Sequence, residues 1–367
     1  MNADNHETGF IKGLELSEIF YREAVKPILE SRFPGLVYSA GRVGSGSDVL
    51  GFDTEQSMDH GWGPKLTLFL TKSDYEALNE GIDHSLRHEL PLEIHGFPTN
   101  LGLHEDGTDV MIPIEKGPVN HRVDITTVDT FFKDYLGFNP VGELRPIDWL
   151  ILPEQRLRSI ASGRVFYDGL NELESIVTKL EYYPNDVWLY LLANQWRRIS
   201  QEEAFMGRCG QVGDELGSRL IAGRLILDLM KLCFLMERQY APYVKWFGTA
   251  FSRLDCASEL TPIFARVLDA QFWTERQKHL TSAYELVAQM HNDLGITNPL
   301  SARVSQFHER PFLIIKANDF ADAILASIDD DGVKALPKYL GGVDQFIDST
   351  DVLACPARYR QLTTIYE

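Results

Sequence analysis

A glycine- and serine-rich turn followed by acidic residues is the part of the chain best suited to chemistry. Gly44-Ser45-Gly46-Ser47 follows an apolar segment, Leu36–Tyr38, that is predicted to be a strand. Such a turn presents backbone N–H groups and small hydroxyls to phosphate oxygens. The carboxylates of Asp53, Glu55 and Asp59 come a few residues later, and carboxylates hold the divalent cations that neutralise phosphates. The pattern therefore predicts a metal-dependent phosphate site.

Two commoner glycine motifs are excluded by counting residues. A P-loop ends in Gly-Lys followed by Ser or Thr, whereas Gly46 is followed by Ser47. A dinucleotide fingerprint places two residues between its second and third glycines, whereas four separate Gly46 from Gly51. An ordinary solvated surface loop is the alternative, since Gly, Ser and Asp are common in turns. A loop from Gly41 to Lys65 is unusually long for that purpose, and its length favours a function.

The turn and its acids together resemble a known superfamily. Gly44-Ser45 followed by Asp53-Thr54-Glu55 is similar to the nucleotidyltransferase superfamily, which has the DNA polymerase beta-like fold. The longer run from Gly44 to Pro64 resembles an uncharacterised, nucleotidyltransferase-like family, a domain of unknown function. This resemblance continues through Trp188–Phe251 and Gly341–Val352. It implies transfer of a nucleoside monophosphate, with AMP as the expected group, from a triphosphate such as ATP to a small acceptor, assisted by two Mg²⁺ ions. Two alternatives stay open: a non-catalytic nucleotide-binding or interaction protein with a degenerate site, and a nucleotidyltransferase that acts on tRNA or protein.

The resemblance also implies roles for the acidic residues. Asp53 and Glu55 match the acid pair that holds the metal ions, and Asp124, on a later predicted strand, matches the third carboxylate. Asp59 is the rival for the first acid because it lies closer to the next predicted strand, but its partner two residues on is Gly61. Taken without the resemblance, Asp124 is equally well explained as a solvent-facing strand residue.

Further residues are expected to bind the nucleotide or activate the acceptor. The predicted nucleotide contacts are Gly44, Ser45, Gly46, Ser47, Asp48, His60, Lys65 and Arg219. The resemblance implies that a helical domain supplies the base that deprotonates the acceptor, and Glu202 and Glu203 are the two candidates for it here. For Arg219 the simpler interpretation is a structural ion pair with Glu215, four residues earlier on the same predicted helix.

Composition limits the partners. The formal net charge is −18, so DNA binding is not expected, because nucleic-acid affinity comes from lysines and arginines. A small or cationic acceptor suits this charge better. The four cysteines contain no C-x-x-C pair, which disfavours a zinc site. No apolar run is long enough to span a membrane, and the polar N-terminus, Met1–Thr8, does not resemble a signal peptide. A cytoplasmic protein is therefore expected.

The hydrophobic periodicity predicts an α+β fold with a small mixed sheet, flanking helices and a helical bundle domain. The expected division is 1–145 for the nucleotidyltransferase-like domain, 146–300 for the helical domain and 301–367 for a helical extension. Elements of the first domain are read from apolar spacing, strand alternation and a Ser73–Glu76 capping box. They are a helix over 16–33, strands at 36–38, 66–70, 92–97 and 122–126, and a helix from Ser73 toward Leu90. From Pro146 onward the chain is predicted to be helical.

Overall fold

The computed structural model describes residues 9–105 and 107–367. It shows a small mixed sheet, flanking helices and a helical C-terminal region, which confirms the predicted α+β class. The segment Met1–Thr8, on which the signal-peptide prediction was based, lies outside the described residues. Among the helices that are described, none combines the length and apolar character needed to cross a membrane.

The strands are short, and most of them lie in the first half of the chain. In chain order they are β1 (Tyr38–Arg42), β2 (Lys65–Leu70), β3 (Glu93–Ile94), β4 (Phe97–Pro98), β5 (Leu101–Leu103), β6 (Asp109–Met111), β7 (Arg122–Thr127), β8 (Arg164–Asp168), β9 (Ser305–Gln306) and β10 (Leu313–Ile314).

The α-helices occur in every part of the chain. They are α1 (Gly13–Phe20), α2 (Lys26–Arg32), α3 (Lys72–Glu89), α4 (Val128–Leu136), α5 (Pro146–Leu150), α6 (Glu154–Ala161), α7 (Leu173–Lys179), α8 (Asn185–Glu202), α9 (Phe205–Gln211), α10 (Glu215–Met236), α11 (Val244–Phe251), α12 (Ala257–Asp269), α13 (Trp273–Asp293), α14 (Ala317–Leu325), α15 (Asp331–Lys334), α16 (Val343–Phe346), α17 (Thr350–Leu353) and α18 (Pro356–Tyr359). A π-helical segment, Tyr21–Val25, joins α1 to α2, and 3₁₀ turns cover Glu55–Asp59 and Arg360–Ile365.

The chain divides into two compact units. The first contains the residues up to Glu143 together with Arg156–Glu181, and the second contains Leu144–Gln155 and Tyr182–Glu367. The division into three domains predicted above stays a prediction.

The first unit is built on a four-stranded sheet in the order β7-β2-β1-β8. Strand β1 pairs antiparallel with β2 and with β8, whereas β2 and β7 run parallel. A parallel pair needs a crossover, and α3 lies in that connection. Side chains of Leu66, Leu68 and Val123 pack into the core of this unit. Because strand side chains alternate between faces, Lys65, Thr67, Arg122 and Asp124 share the other face.

Several sequence-based boundaries are wrong. The first strand covers Tyr38–Arg42 rather than 36–38, so Gly41 and Arg42 are strand residues. Helix α3 is capped by Thr71, whose hydroxyl accepts from the N–H of Asp74, and not by Ser73. The expected strand 92–97 is a hairpin because His95 and Gly96 both adopt positive φ angles, 49° and 82°.

The region after Pro146 is not wholly helical. Strand β8 lies within it and pairs with β1 in the sheet. The run Arg164-Val165-Phe166-Tyr167 is rich in β-branched and aromatic residues, which favours a strand. That signal was present in the sequence, but it is short and stands between helical segments. In the second unit, Trp188 and Trp196 are buried, with 1% and 0% of their surfaces exposed.

Candidate phosphate-binding site

Two neighbouring parallel strands place four polar residues on one face of the sheet. Lys65 pairs with Arg122, and Thr67 pairs with Asp124 two residues further along both strands. These four residues line a cavity of about 300 Å³. The other described lining residues come from the end of β1, the glycine turn and β2 with its preceding loop: Arg42, Ser45, Gly46, Gly61 and Leu66. The structure therefore brings the glycine turn and Asp124 to one cavity, here named the phosphate cavity.

The glycine turn is held by a buried ion pair. Arg42 donates from Nε to Oδ2 of Asp48 at 2.8 Å and from Nη2 to Oδ1 at 3.1 Å. Arg42 Nη2 also donates to the carbonyl of Ser45 at 2.7 Å. A Cβ atom on Gly46 would lie 2.0 Å from Asp48 Oδ1 and 2.5 Å from Arg42 Nη2, so this close approach requires glycine. The turn keeps its shape because Arg42 and Asp48 clamp it.

Asp48 was predicted to contact the nucleotide, and the structure shows its carboxylate engaged by cations. Its Oδ1 lies 3.3 Å from Lys65 Nζ in addition to the contacts with Arg42. Burial alone would raise the pKa of the Asp48 carboxyl, but the charges of Arg42 and Lys65 outweigh it and hold this pKa below its ordinary value. Asp48 is therefore a counter-ion that orders the two cations.

Lys65 is a nearly buried cation. Its side chain is 13% exposed, and Nζ donates to the carbonyl of Gly61 at 2.8 Å. Burial, followed by the neighbouring charge of Arg42, lowers the pKa of Lys65 to about 8, although Asp48 opposes this shift. A bound anion would stabilise the protonated amine, because an opposite charge at close range favours the charged form.

Arg122 adds a third positive charge, and Asp124 adds one negative charge. Arg122 donates from Nη1 to the same Gly61 carbonyl at 2.8 Å, and its side chain is 28% exposed. Asp124 is exposed. Among the described lining residues there are thus three cationic side chains and one carboxylate. Asp48, which is not in the described lining, offsets one of these cations, so a small positive excess remains and suits an anion.

Asp53 and Glu55 lie at a different place from this cavity. Asp53 is 0% exposed, and its Oδ2 accepts from the backbone N–H of Gly13 at 2.7 Å and from Trp62 Nε1 at 3.1 Å. Its Oδ1 lies 3.5 Å from Lys12 Nζ. Asp53 therefore fixes the start of α1 to the Trp62 loop. Glu55 is exposed, and it and Asp53 line a second opening beside Lys12.

Asp59 and His60 form a surface pair. The Nδ1 atom of His60 lies 2.7 Å from Oδ1 of Asp59, and their side chains are 63% and 67% exposed, respectively. Neither belongs to the described lining of the phosphate cavity, whereas Gly61 does. If Asp59 is aligned with the first acid, Gly61 takes the place of the second acid.

The predicted metal ligands do not line one common cavity among the described residues. Across residues 9–105 and 107–367, no three or more His, Cys, Asp and Glu side chains form a group that could hold a metal ion. Asp124 lines the phosphate cavity and Asp53 is bonded to the start of α1, so the predicted ligand set is not brought together.

The two candidate bases are engaged within the second unit. Glu202 forms an ion pair with Arg224. Glu203 is 7% exposed and accepts from the backbone N–H groups of Ile315 at 2.9 Å and Lys316 at 3.1 Å, next to the start of α14. Burial raises the pKa of Glu203 to about 7 despite these backbone donors. Its contacts identify Glu203 as a residue that fixes the entry into α14.

The expected ion pair between Glu215 and Arg219 is wrong. Glu215 pairs with the buried Arg276, with Oε2 3.1 Å from Nη1. Arg219 instead donates to the carbonyl and the side chain of Gln271, both at 3.2 Å. A partner from a distant segment displaces the local one here because Arg276 is 0% exposed, and a buried cation requires a counter-ion.

Arg42 and Arg122 are site residues that the sequence interpretation missed. Arg122 stands two residues before Asp124 in an alternating run, so the strand period already places both on one face. Arg42 directly precedes Val43 and the glycine turn, but it was assigned to the loop. The strand end at Arg42 is fixed by pairing with Arg164 of β8, which the sequence interpretation did not include.

We expect Asp53→Ala to destabilise the first unit while leaving anion binding in the folded protein unchanged. The substitution leaves the buried donors of Gly13 and Trp62 without an acceptor, which costs about 1–3 kcal/mol for each donor. Urea denaturation measures the loss, and ATP titration of the folded variant measures binding. Glu55→Ala, at an exposed neighbour, is the control and should change neither. Loss of ATP affinity at unchanged stability would contradict the structural role of Asp53.

Comparisons with known proteins found similarity to a family of unknown function and to a solved structure. A family model described as a domain of unknown function (DUF4037) matches residues 149–247, a range that does not include the cavity residues. A solved structure of a nucleotidyltransferase-like protein from Exiguobacterium sibiricum 255-15 is similar, with 10% sequence identity and a TM-score of 0.34. That similarity covers 84% of this chain and 89% of the other. No curated protein matches the chain.

Proposed function

We propose that this protein binds a nucleoside triphosphate by its phosphate groups in the cavity between the glycine turn and strands β2 and β7. The observation that carries the proposal is the convergence of Arg42, Lys65 and Arg122 on one cavity beside Ser45 and Gly46. A triphosphate is a compact polyanion, and charge-assisted hydrogen bonds from Lys and Arg are the strong ones.

The donors in the cavity are suited to this ligand. An ammonium has three N–H donors and a guanidinium has five. Lys65 and Arg122 both donate to the carbonyl of Gly61, which fixes the two cations side by side. The register of β2 and β7 pairs the same two residues. Two neighbouring phosphate groups of one nucleotide can therefore contact two cations that are already positioned. The Lys65 and Arg122 side chains then lose little conformational entropy on binding.

A series of adenine compounds tests the proposal. We expect affinity to increase from adenosine through AMP and ADP to ATP, because each phosphate adds negative charge to a positive cavity. Isothermal titration calorimetry in the presence of EDTA measures the series without a metal ion. Equal binding of adenosine and ATP would contradict a phosphate site. Repeating the titrations at high salt should weaken ATP binding most, since salt screens partly exposed charges.

ATP affinity should fall as the pH rises through the pKa of Lys65. That pKa is lowered to about 8 in the free protein, and only the protonated amine attracts phosphate. Above that pKa the affinity falls by up to about tenfold per pH unit, the limit for one linked proton. Lys65→Arg should flatten the profile because a guanidinium stays protonated. Titrations between about pH 7.5 and 9.5 measure the effect. The same pH dependence of ATP affinity in the unmodified protein and in Lys65→Arg would contradict this prediction.

Nucleotidyl transfer is the second candidate function, and the position of Asp124 favours it. Asp124 lines the same cavity as Ser45 and Gly46, as the resemblance implies for the third carboxylate. In this reaction the hydroxyl oxygen of a small acceptor would bond to the α-phosphorus of a triphosphate, with ATP as the expected one. The bond between the α-phosphorus and the β-phosphate would break, and pyrophosphate would leave. Against this, Asp53, Glu55 and Asp59 are not among the described residues that line the cavity, and no group of three or more metal-binding side chains is found in the described residues. These two observations favour non-catalytic nucleotide binding.

An assay with α-labelled nucleoside triphosphates separates the two candidates. Incubation with and without Mg²⁺, followed by detection of pyrophosphate and of a labelled small molecule, reports transfer. Transfer that depends on Mg²⁺ would show that the nucleotide and protein together assemble a metal site. Binding without pyrophosphate release, across a panel of hydroxyl acceptors, would support the non-catalytic function.

A further inference from the structure

The first half of helix α10 carries an apolar stripe on its exposed side. Leu216, Leu220, Gly223 and Leu227 follow one another at intervals of four, three and four residues, so they lie along one side of the helix. The three leucines are all exposed. An α-helix usually turns its apolar side toward the core and its polar side toward water. Here the exposed side is apolar as well.

Exposed residues from neighbouring segments extend the stripe into a patch. One precedes α10, and two others lie at the end of α12 and just before α13. Together with the first two leucines they form what we call the α10 patch: Val212, Leu216, Leu220, Leu268 and Phe272. Each exposes 59% or more of its surface, and among the described large hydrophobic residues only Leu103 and Val244 do the same. A concentration of exposed apolar side chains marks an interaction site.

A buried arginine holds the two parts of the patch together. Arg276 is 0% exposed. It donates from Nη1 to Oγ of Ser218 at 2.7 Å and from Nη2 to the carbonyl of Ala270 at 2.9 Å. In the sequence, Ser218 and Ala270 each lie between two residues of the α10 patch. The patch is therefore formed in advance, and a partner would spend little free energy on ordering it.

The charge beside the stripe is positive. Residues 216–227 contain two arginines and no acidic residue, in a chain whose net charge is −18. Both arginines, Arg219 and Arg224, are exposed. Arg224 pairs with Glu202, whereas Arg219 donates to Gln271, which is uncharged. A positive charge thus remains on this side of α10, and its complement is a surface that carries carboxylates beside apolar side chains.

Gly223 gives an independent indication that the partner is a helix. Glycine in the middle of a helix is unfavourable relative to alanine. A Cβ atom on Gly223 would meet nothing within 4 Å, so packing within the chain does not require glycine here. The missing side chain leaves a recess between Leu220 and Leu227. Such a recess accepts a side chain of a second helix and lets the two helices approach closely.

We propose that the α10 patch binds an amphipathic helix of a partner protein, in which leucine-like side chains are flanked by carboxylates. The leucines pack along the stripe, and the carboxylates face Arg219 and Arg224. A second copy of the chain, packed antiparallel through the same stripe, would place Arg219 opposite Arg224, and like charges disfavour that pairing. An anionic membrane surface is disfavoured by the net charge of −18.

Two designed helical peptides test the proposal. Both carry leucines at the spacing of the stripe, flanked by glutamates in one peptide and by lysines in the other. Fluorescence anisotropy measures the binding of each to the full chain. We expect the glutamate peptide to bind about tenfold more tightly, since each exposed charge pair changes affinity by up to about fivefold. Equal affinities, or no binding of the glutamate peptide at about 100 µM, would overturn the proposal.

Leu220→Ala should weaken binding of the glutamate peptide about tenfold or more, as expected for an apolar anchor of an interface. Leu103→Ala, at another exposed leucine, is the matched control and should bind the peptide normally. Both variants should keep a normal unfolding transition, because both side chains are exposed. Unchanged peptide affinity in Leu220→Ala would overturn the proposal.

Gly223→Gln should change stability and binding in opposite directions. Glutamine is the better helix former, so the midpoint of thermal unfolding should rise by about 2 °C. The new side chain fills the recess, and the glutamate peptide should bind about tenfold more weakly. A raised midpoint with unchanged peptide affinity would overturn the close approach of a second helix.

The other occupants of the patch are tested with the protein alone. Sedimentation velocity detects self-association, and co-sedimentation with vesicles that contain phosphatidylserine detects membrane binding. We expect Leu220→Ala to change neither result. Self-association or vesicle binding that is lost in Leu220→Ala would assign the α10 patch to a second copy or to a membrane, and would overturn the proposal of a partner helix.

Discussion

Lys65→Met should reduce ATP affinity about 10- to 100-fold, because a hydrogen bond from a charged group is worth about 1.5–3 kcal/mol. Lys65 contacts Asp48 and Gly61 and pairs with Arg122 of β7, so it lies between the glycine turn and that strand. The methionine side chain keeps the length and apolar stem of lysine but removes the charge. Isothermal titration calorimetry in EDTA measures the change.

The effect of Lys65→Met must be separated from a loss of folding. Asp48 keeps its bidentate contact with Arg42 in this variant, so the glycine turn should remain ordered. Lys72→Met, at a lysine whose side chain is 86% exposed, is the matched control. We expect the control to bind ATP normally. Unchanged affinity in Lys65→Met, with a normal unfolding transition, would show that the phosphates bind elsewhere.

Asp124→Asn should have the opposite effect on binding. It removes the one carboxylate among the described lining residues of the phosphate cavity, and with it a repulsion toward phosphate. In EDTA we expect ATP affinity to rise about fivefold, which corresponds to about 1 kcal/mol for a partly screened charge. If the protein catalyses transfer, pyrophosphate release should be abolished in the same variant, so binding and turnover separate.

The direction of the change distinguishes two roles for Asp124. A metal ligand would make ATP binding in Mg²⁺ weaker when replaced by Asn, because a hard cation requires the carboxylate charge. A repelling charge would make binding tighter with or without Mg²⁺. Asp134→Asn, an exposed substitution on α4, controls for a general change in net charge. Tighter binding without Mg²⁺ and lost binding with it would assign Asp124 to a metal.

Local sequence signals predicted several residues that line the candidate cavity. The glycine turn was predicted to follow a strand and Asp124 to lie within a later strand, and both line one cavity in the structure. The fold class was predictable because strand alternation and helical spacing are written in neighbouring residues. Lys65 was also predicted, from its place just before an apolar strand.

Roles that depend on distant segments were not predictable in the same way. Asp53 is 40 residues from Gly13, to whose N–H it is bonded, and no local pattern marks that contact. Glu203 accepts from Ile315, which lies 112 residues away. The sequence around each carboxylate predicted a catalytic role, but in the structure Asp53 and Glu203 bind backbone N–H groups at or next to the starts of helices. An acidic residue near a glycine turn therefore indicates a functional role only when its side chain lines the cavity.

The most direct measurement is a crystal structure of the protein with a non-hydrolysable ATP analogue, grown in EDTA. We predict phosphate oxygens within about 3 Å of Lys65 Nζ and of the Arg122 guanidinium, the distance of a charge-assisted hydrogen bond. The turn at Ser45-Gly46 should border the phosphate chain. A triphosphate bound away from these residues, for example beside Lys12 and Glu55, would contradict the assignment of the cavity. So would an analogue that binds only when Mg²⁺ is restored.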